Sequence, residues 1–168
     1  MKKALFFILF SIPISSWCQN QKANDYFDQA MIKAESGKSK EAIADYSRAI
    51  QFDPTFAVAY LNRALEKIKL NDSKGALMDV NKTITIDPTI ANAYTTRAAI
   101  NYKMLDYKSV IEDCTKAFAM NPRDYIALNM RGLSYYHLQD KKNACLDFSK
   151  AIQLGSTSAI KNKKTFCK

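Results

Sequence analysis

The sequence predicts an all-α solenoid: four helical hairpins stacked in series and closed by a short C-terminal helix. Three observations carry that expectation. First, the 168-residue chain repeats with a period of 34, so Tyr26, Tyr60, Tyr94 and Leu128 share one phase and Ala30, Ala64, Ala98 and Gly132 another. Second, Pro54, Pro88 and Pro122 recur near the ends of the first three units. Third, each unit splits into two helical patterns of about 13 residues around a short polar break. Such a period marks a repeat architecture, in which a unit buries its apolar face only by stacking on its neighbours.

The N-terminus has a different character. Lys2 and Lys3 precede an apolar run from Ala4 to Ile14, followed by Ser15 and Ser16. This is the layout of a secretory signal, and the run falls short of the roughly 20 residues a membrane-spanning helix needs. The expected signal is residues 1–18, with cleavage after Cys18 and a short lead over residues 19–22. Lipid anchoring through Cys18, whose Ser15-Ser16-Trp17 context fits lipidation poorly, and an uncleaved anchor are the less favoured alternatives. The chain is thus expected to be exported, to the periplasm or outside the cell. Removing Lys2 and Lys3 lowers the net charge from +9 to +7. A basic surface of this kind attracts acidic partners, but no nucleic-acid partner is expected for an exported chain.

The array then reads as residues 23–56, 57–90, 91–124 and 125–156. The polar breaks are Ser36-Gly37-Lys38, Asn71-Asp72-Ser73, Leu105-Asp106-Tyr107 and Gln139-Asp140-Lys141. Their Gly, Asn and Asp residues suit turns and helix caps. Proline after Asp53, Asp87 and Asn121 ends each second helix, since it pushes the preceding residue out of the α region. Ala30, Ala64, Ala98 and Gly132 on first helices should meet Ala42, Ala76, Val110 and Ala144 on second helices. Tyr46, Val80, Cys114 and Phe148 lie four residues further on that second-helix face. Arg63, Arg97 and Arg131 recur on first helices, and Asp45, Asp79, Asp113 and Asp147 on second helices. They should pair as a ladder, since the arginine fork matches a carboxylate; a row of free anion-binding arginines is the alternative.

These landmarks resemble tetratricopeptide repeats, over residues 23–156. A large residue at position 4 of each unit, small residues at 8, 20 and 27 and proline at 32 carry the resemblance. The usual aromatic at position 11 is replaced by Lys33, Lys67 and Asn101, and only Tyr135 keeps it. The resemblance implies a right-handed α-α superhelix whose concave wall, made by first helices, holds a peptide or partner helix. It also allows one variant to be tested, the cationic clamp that holds a chaperone's C-terminal carboxylate. The matching positions are Phe27, Met31, Asn62, Asn92 and Thr96, or one unit later Leu61, Leu65, Thr96, Ile126 and Met130. Neither set is a clamp.

The fourth unit ends in Leu154-Gly155-Ser156 rather than a proline step. Gly155 suits a left-handed helix end and Ser156 a new cap, so residues 157–168 should form a capping helix. Cys145 lies ten residues before Gly155 and Cys167 twelve after it. Antiparallel helices would bring the two side by side, and a disulfide is expected in an exported chain, with two free thiols or redox chemistry as the alternatives. Cys114 should be a buried free thiol.

Nothing in the chain forms a catalytic or metal-binding constellation. His137 is the only histidine and sits beside Tyr135 and Tyr136. The four glycines are scattered and make no phosphate cradle. No catalytic residue, metal or cofactor is expected. The candidate binding residues are those of the concave wall: Phe27, Met31, Leu61, Leu65, Ile68, Thr95, Tyr102, Asn129, Leu133 and Tyr136, some of which should be buried between neighbouring helices. The expected function is a non-enzymatic interaction module that binds another protein, as a monomer or weak homo-oligomer. A self-associating assembly unit is the alternative. Lys161, Lys163, Lys164 and Lys168 read first as a solvated cap and second as a weak contact with acidic membrane or glycan surfaces.

Overall fold

The computed structural model describes residues 14–168, with side chains from Asn20 onward. The expected signal over residues 1–18 lies largely outside the described residues, and the expected cleavage point after Cys18 falls within the first helix. Among the described residues there are nine helices and no strand. They are α1 (Ile14–Glu35), α2 (Ser39–Phe52), α3 (Ala57–Lys69), α4 (Ser73–Ile86), α5 (Ala91–Lys103), α6 (Tyr107–Met120), α7 (Tyr125–His137), α8 (Lys141–Gln153) and α9 (Thr157–Phe166). The fold is an all-α superhelix. Among the described residues, no helix is long and apolar enough to cross a membrane.

Local chemistry sets the helix ends. Asp72, Asp106, Asp140 and Ser156 accept from the backbone N–H three residues on, at 2.9 to 3.3 Å, and so cap α4, α6, α8 and α9. The hydrogen bonds from Ser109 and Asn143 hold the Asp106 and Asp140 carboxyls below their ordinary range. Asp124 caps α7 in the same way, through the Ala127 N–H at 2.9 Å. One residue within each polar break leaves the helix with positive φ: Gly37 at 74°, Asn71 at 61°, Leu105 at 63° and Gln139 at 65°. Leu105 is the costly member, because a branched, bulky residue strains in the left-handed region. Asp53, Asp87 and Asn121 adopt the extended backbone that the following proline demands.

Each odd-numbered helix packs on the even-numbered one that follows it, and each hairpin then packs on the next. The first helices α3, α5 and α7 also touch one another along one side, forming the inner layer. The seam within each hairpin is apolar and closed. Ala64, Ala76 and Val80 are fully buried in the second, and Ala98, Val110 and Cys114 in the third. Volumes trade along this seam. In the fourth hairpin Phe148 is the large residue, and Gly132 faces it because a Cβ there would sit 2.8 Å from the ring. The helix α9 lies against α8 and α7, with Ala159 buried and Phe166 packed on Phe148 and Tyr136.

Candidate functional site: the inner wall

Two side-chain systems divide the surface of the first helices, one polar and one largely apolar, and the polar one is saturated. Arg63 donates from Nε and Nη2 to the two oxygens of Asp79, at 2.8 and 2.6 Å. Arg97 does the same to Asp113 and Arg131 to Asp147, at 2.7 to 2.9 Å. The remaining Nη1 of each reaches back to the preceding hairpin, to Ser47, Asn81 and Thr115 respectively, at 2.9 Å in every case. Each arginine therefore ties two second helices together across its own. The hydrogen bonds to Asp113 and Asp147 hold Arg97 and Arg131 above the ordinary guanidinium range, against the opposing effect of burial.

The first hairpin solves the same problem with lysine. Asp45 is paired with Lys33 and Arg48, and in the second hairpin Lys67 adds a bond of 2.8 Å to Asp79. The lysines that replace the usual aromatic at position 11 thus serve the acid ladder. With its carboxylates and guanidiniums matched, this system is structural.

The second system is the inner wall itself. Met31 is 39% exposed, Leu65 41% and Tyr136 37%. Phe27 is half-buried between Tyr46 and Phe56, with ring centroids 5.6 and 4.8 Å away. Ile68, Tyr102 and Leu133 are half-buried. Two expected wall residues are engaged within the chain: Thr95 donates to Asp124 at 2.9 Å, and Asn129 accepts from Asn162 of α9 at 2.9 Å. Leu61 lies deepest, only 7% exposed, in the core with Ala64, Ala93 and Ile100. Its phase carries it into the joint between the second and third hairpins.

At the far end of the wall four aromatic groups converge. Tyr107 stacks on His137 with centroids 4.5 Å apart and planes within 7°. The Tyr102 hydroxyl lies 3.1 Å from His137 Nε2, and Tyr136 meets the same imidazole edge-on. Burial, then the neighbouring Tyr107, pushes the Tyr102 phenol above its ordinary range. The sequence places Tyr102, Tyr136 and His137 on first helices. The contribution of Tyr107, from the start of a second helix, is visible only in three dimensions.

At the near end, Met31 and Leu65 share a pocket of about 180 Å³ between α1 and α3, with Glu35, Tyr46, Asn62 and Glu66. Sequence reading missed Glu66, although its phase held the signal. The equivalent positions are Ile32, Ile100 and Ser134, so a carboxylate stands where an apolar or small residue recurs. Glu66 is 4% exposed. Its Oε1 accepts from Lys69 at 2.6 Å, and Oε2 is buried with no hydrogen-bond partner among the described residues. Burial, then the Glu66 charge, pushes the Tyr46 phenol up, with Asn62 opposing the shift through a hydrogen bond.

The disulfide between Cys145 and Cys167 is formed, across Cα atoms 5.8 Å apart. It tethers the end of α9 to α8. Cys114 is buried and free, and burial pushes its thiol up to about 12.

Comparison with known proteins agrees with this geometry. A TPR repeat model matches residues 32–68, and a tetratricopeptide repeat model matches residues 125–154. No curated protein matches the sequence. Among solved structures, MamA is 22% identical, with 80% of this chain covering 73% of that one at a TM-score of 0.75. PilF of Pseudomonas aeruginosa is 17% identical, with 84% of this chain covering 66% of that one, also at 0.75. The first TPR domain of Spaghetti (RPAP3), bound to the HSP90 peptide SRMEEVD, is 23% identical; 71% of this chain covers 95% of it at 0.70. At these identities the likeness is one of fold. Repeat models match in both halves of the array, so the superhelix carries tetratricopeptide repeats at residues 32–68 and 125–154.

Proposed function

We propose that the chain is a non-enzymatic interaction module that holds a peptide or helix of another protein along its inner wall. One observation carries this reading: Met31, Leu65 and Tyr136 stay substantially exposed on first helices whose ladder cations, Lys33, Arg63 and Arg131, are already paired with acids. Exposed apolar and aromatic groups on a rigid concave scaffold mark an interaction site, and the spacing suits an amphipathic or extended segment. The solved RPAP3 domain, which carries a peptide on the same fold, supports the mode of binding. It does not supply the ligand chemistry, because the cationic clamp positions here are Phe27, Met31, Asn62, Asn92 and Thr96. His137 stacks on Tyr107 and meets Tyr102, an arrangement suited to a flat aromatic contact.

The proposed setting is the cell envelope or the exterior. The basic-apolar-small layout of residues 1–18 supports export, and a formed Cys145–Cys167 disulfide fits an oxidising compartment.

A photo-crosslinking side chain at Leu65 or Tyr136 tests the function, with Met78 and Leu146 on second helices as controls. Discrete protein adducts from the wall positions alone are expected. Equal adduct formation from Met78 and Leu146 overturns the reading. For export, mass analysis of the chain recovered outside the cytoplasm should show a start at Gln19.

A further inference from the structure

Building on that reading of the inner wall, we propose that the pocket between α1 and α3 receives a basic side chain of the bound segment, arginine before lysine. The cation would sit on Glu66. This is opposite in charge to a site for a terminal carboxylate.

The argument starts from Glu66 as an anomaly. A carboxylate taken out of water needs partners for both oxygens, and Lys69 supplies only one of them. The 34-residue phase offers no structural reason for the charge, since Ile100 and Ser134 are buried without difficulty at the equivalent positions. Glu66 lines an open pocket, so a modest turn of its carboxylate would present the unpartnered Oε2 to a donor entering from the wall side.

The rest of the pocket suits the same occupant. Met31, Ala34 and Leu65 offer apolar walls to an aliphatic stem, and basic side chains bury such stems while keeping the charged head in a polar setting. Glu35 stands exposed at the rim and adds negative charge there. Lys69 offsets one of these two acids, leaving the pocket net acidic inside a basic protein. Arginine is favoured because its planar fork carries several donors, enough to meet Glu66 together with Asn62 or the Tyr46 hydroxyl.

The test is a nuclear magnetic resonance titration of the isotope-labelled chain with the peptide acetyl-Ala-Ala-Arg-Ala-Ala-amide. The control replaces arginine by citrulline, which keeps the shape and removes the charge. Saturable shifts are expected at the amides of Met31, Asn62 and Leu65 with the arginine peptide alone. E66Q should weaken binding about tenfold, the loss of one charge-assisted contact. E35Q should weaken it about two- to threefold, as for an exposed ion pair. Equal binding of the citrulline peptide, shifts confined to other parts of the wall, or undiminished binding by E66Q each overturn the proposal. Should E66Q fail to fold, judged by its helical circular dichroism, the citrulline comparison and E35Q still decide. Failure here with intact cross-links from Leu65 and Tyr136 removes the cation pocket and leaves the interaction module. Arginine binding without wall cross-links removes the module instead.

Discussion

Arg97 holds Asp113 through two parallel hydrogen bonds, Nε to Oδ2 at 2.9 Å and Nη2 to Oδ1 at 2.7 Å. Its third arm reaches Asn81 in the preceding hairpin, so one side chain joins three helices. Arg97→Ala leaves the buried Asp113 without its partner and should cost about 2–3 kcal/mol. Adding Asp113→Asn to that variant should recover part of the loss, because the orphaned charge is then gone. Urea unfolding of the three variants checks both statements. A double variant no more stable than R97A would contradict the account.

The Gly132–Phe148 contact predicts a size exchange. Gly132→Ala puts a Cβ 2.8 Å from the Phe148 ring and 3.2 Å from the Ala144 carbonyl oxygen. Overpacking of this kind should destabilise by about 1–3 kcal/mol. Combining it with Phe148→Val recreates the Ala64–Val80 pairing of the second hairpin and should relieve the strain on the ring. Thermal melts of G132A, F148V and the pair give the coupling, which should be favourable in the double variant.

Reduction of Cys145–Cys167 should loosen the cap and spare the array. The bridge closes a loop of 22 residues, for which restricting the unfolded chain contributes roughly 3 kcal/mol. Hydrogen exchange in α9 should therefore accelerate under reducing conditions, while α3 to α6 remain protected. The contacts of Phe166 with Tyr136 would weaken as well. Uniform acceleration along the chain would show instead that the cap stabilises every hairpin.

Cys114 makes a prediction about alkaline pH. Burial raises its thiol from 9.0 to about 12 in the folded chain. Below pH 9 the thiol is protonated in both folded and unfolded states, and its contribution to stability is constant. Between about pH 9 and 12 only the unfolded state releases the proton, so stability falls as pH rises. Cys114→Ala should lack this part of the alkaline slope, apart from a constant cavity cost. Native Cys114 should also resist alkylation at pH 8 and react once urea unfolds the chain.

Much of the architecture was legible in the sequence because it rests on local rules repeated in phase. The Asp-Pro steps, the Asp caps and the small residues at Ala30, Ala64 and Ala98 act within a few residues or one helical turn. The Arg–Asp ladder was legible for the same reason: a spacing of sixteen residues within a hairpin is a fixed displacement once the hairpin exists. The pairing of Cys145 with Cys167 followed from two helices folding back at Gly155.

The wall was only partly legible. A first-helix residue can face the groove or enter the joint with the next hairpin, and a few tens of degrees of rotation separate the two. Leu61 went into the joint, while Met31 and Leu65 stayed at the surface. Thr95 and Asn129 met Asp124 and Asn162, partners 29 and 33 residues away, whose reach depends on how neighbouring hairpins stack. The stacking of Tyr107 on His137 likewise crosses between hairpins.

By itself, then, the sequence determined that the chain stacks helical hairpins, where the later helices begin and end, and which residues close its seams, whereas the first helix starts earlier than expected, at Ile14. These follow from backbone preference and a periodic apolar pattern, both written along the chain. Only the tertiary structure decided which wall residues remain accessible, and only there does Glu66 become a buried carboxylate with one oxygen unpartnered. Accessibility and desolvation belong to the packing of hairpin on hairpin, which a residue's own neighbours in sequence do not specify.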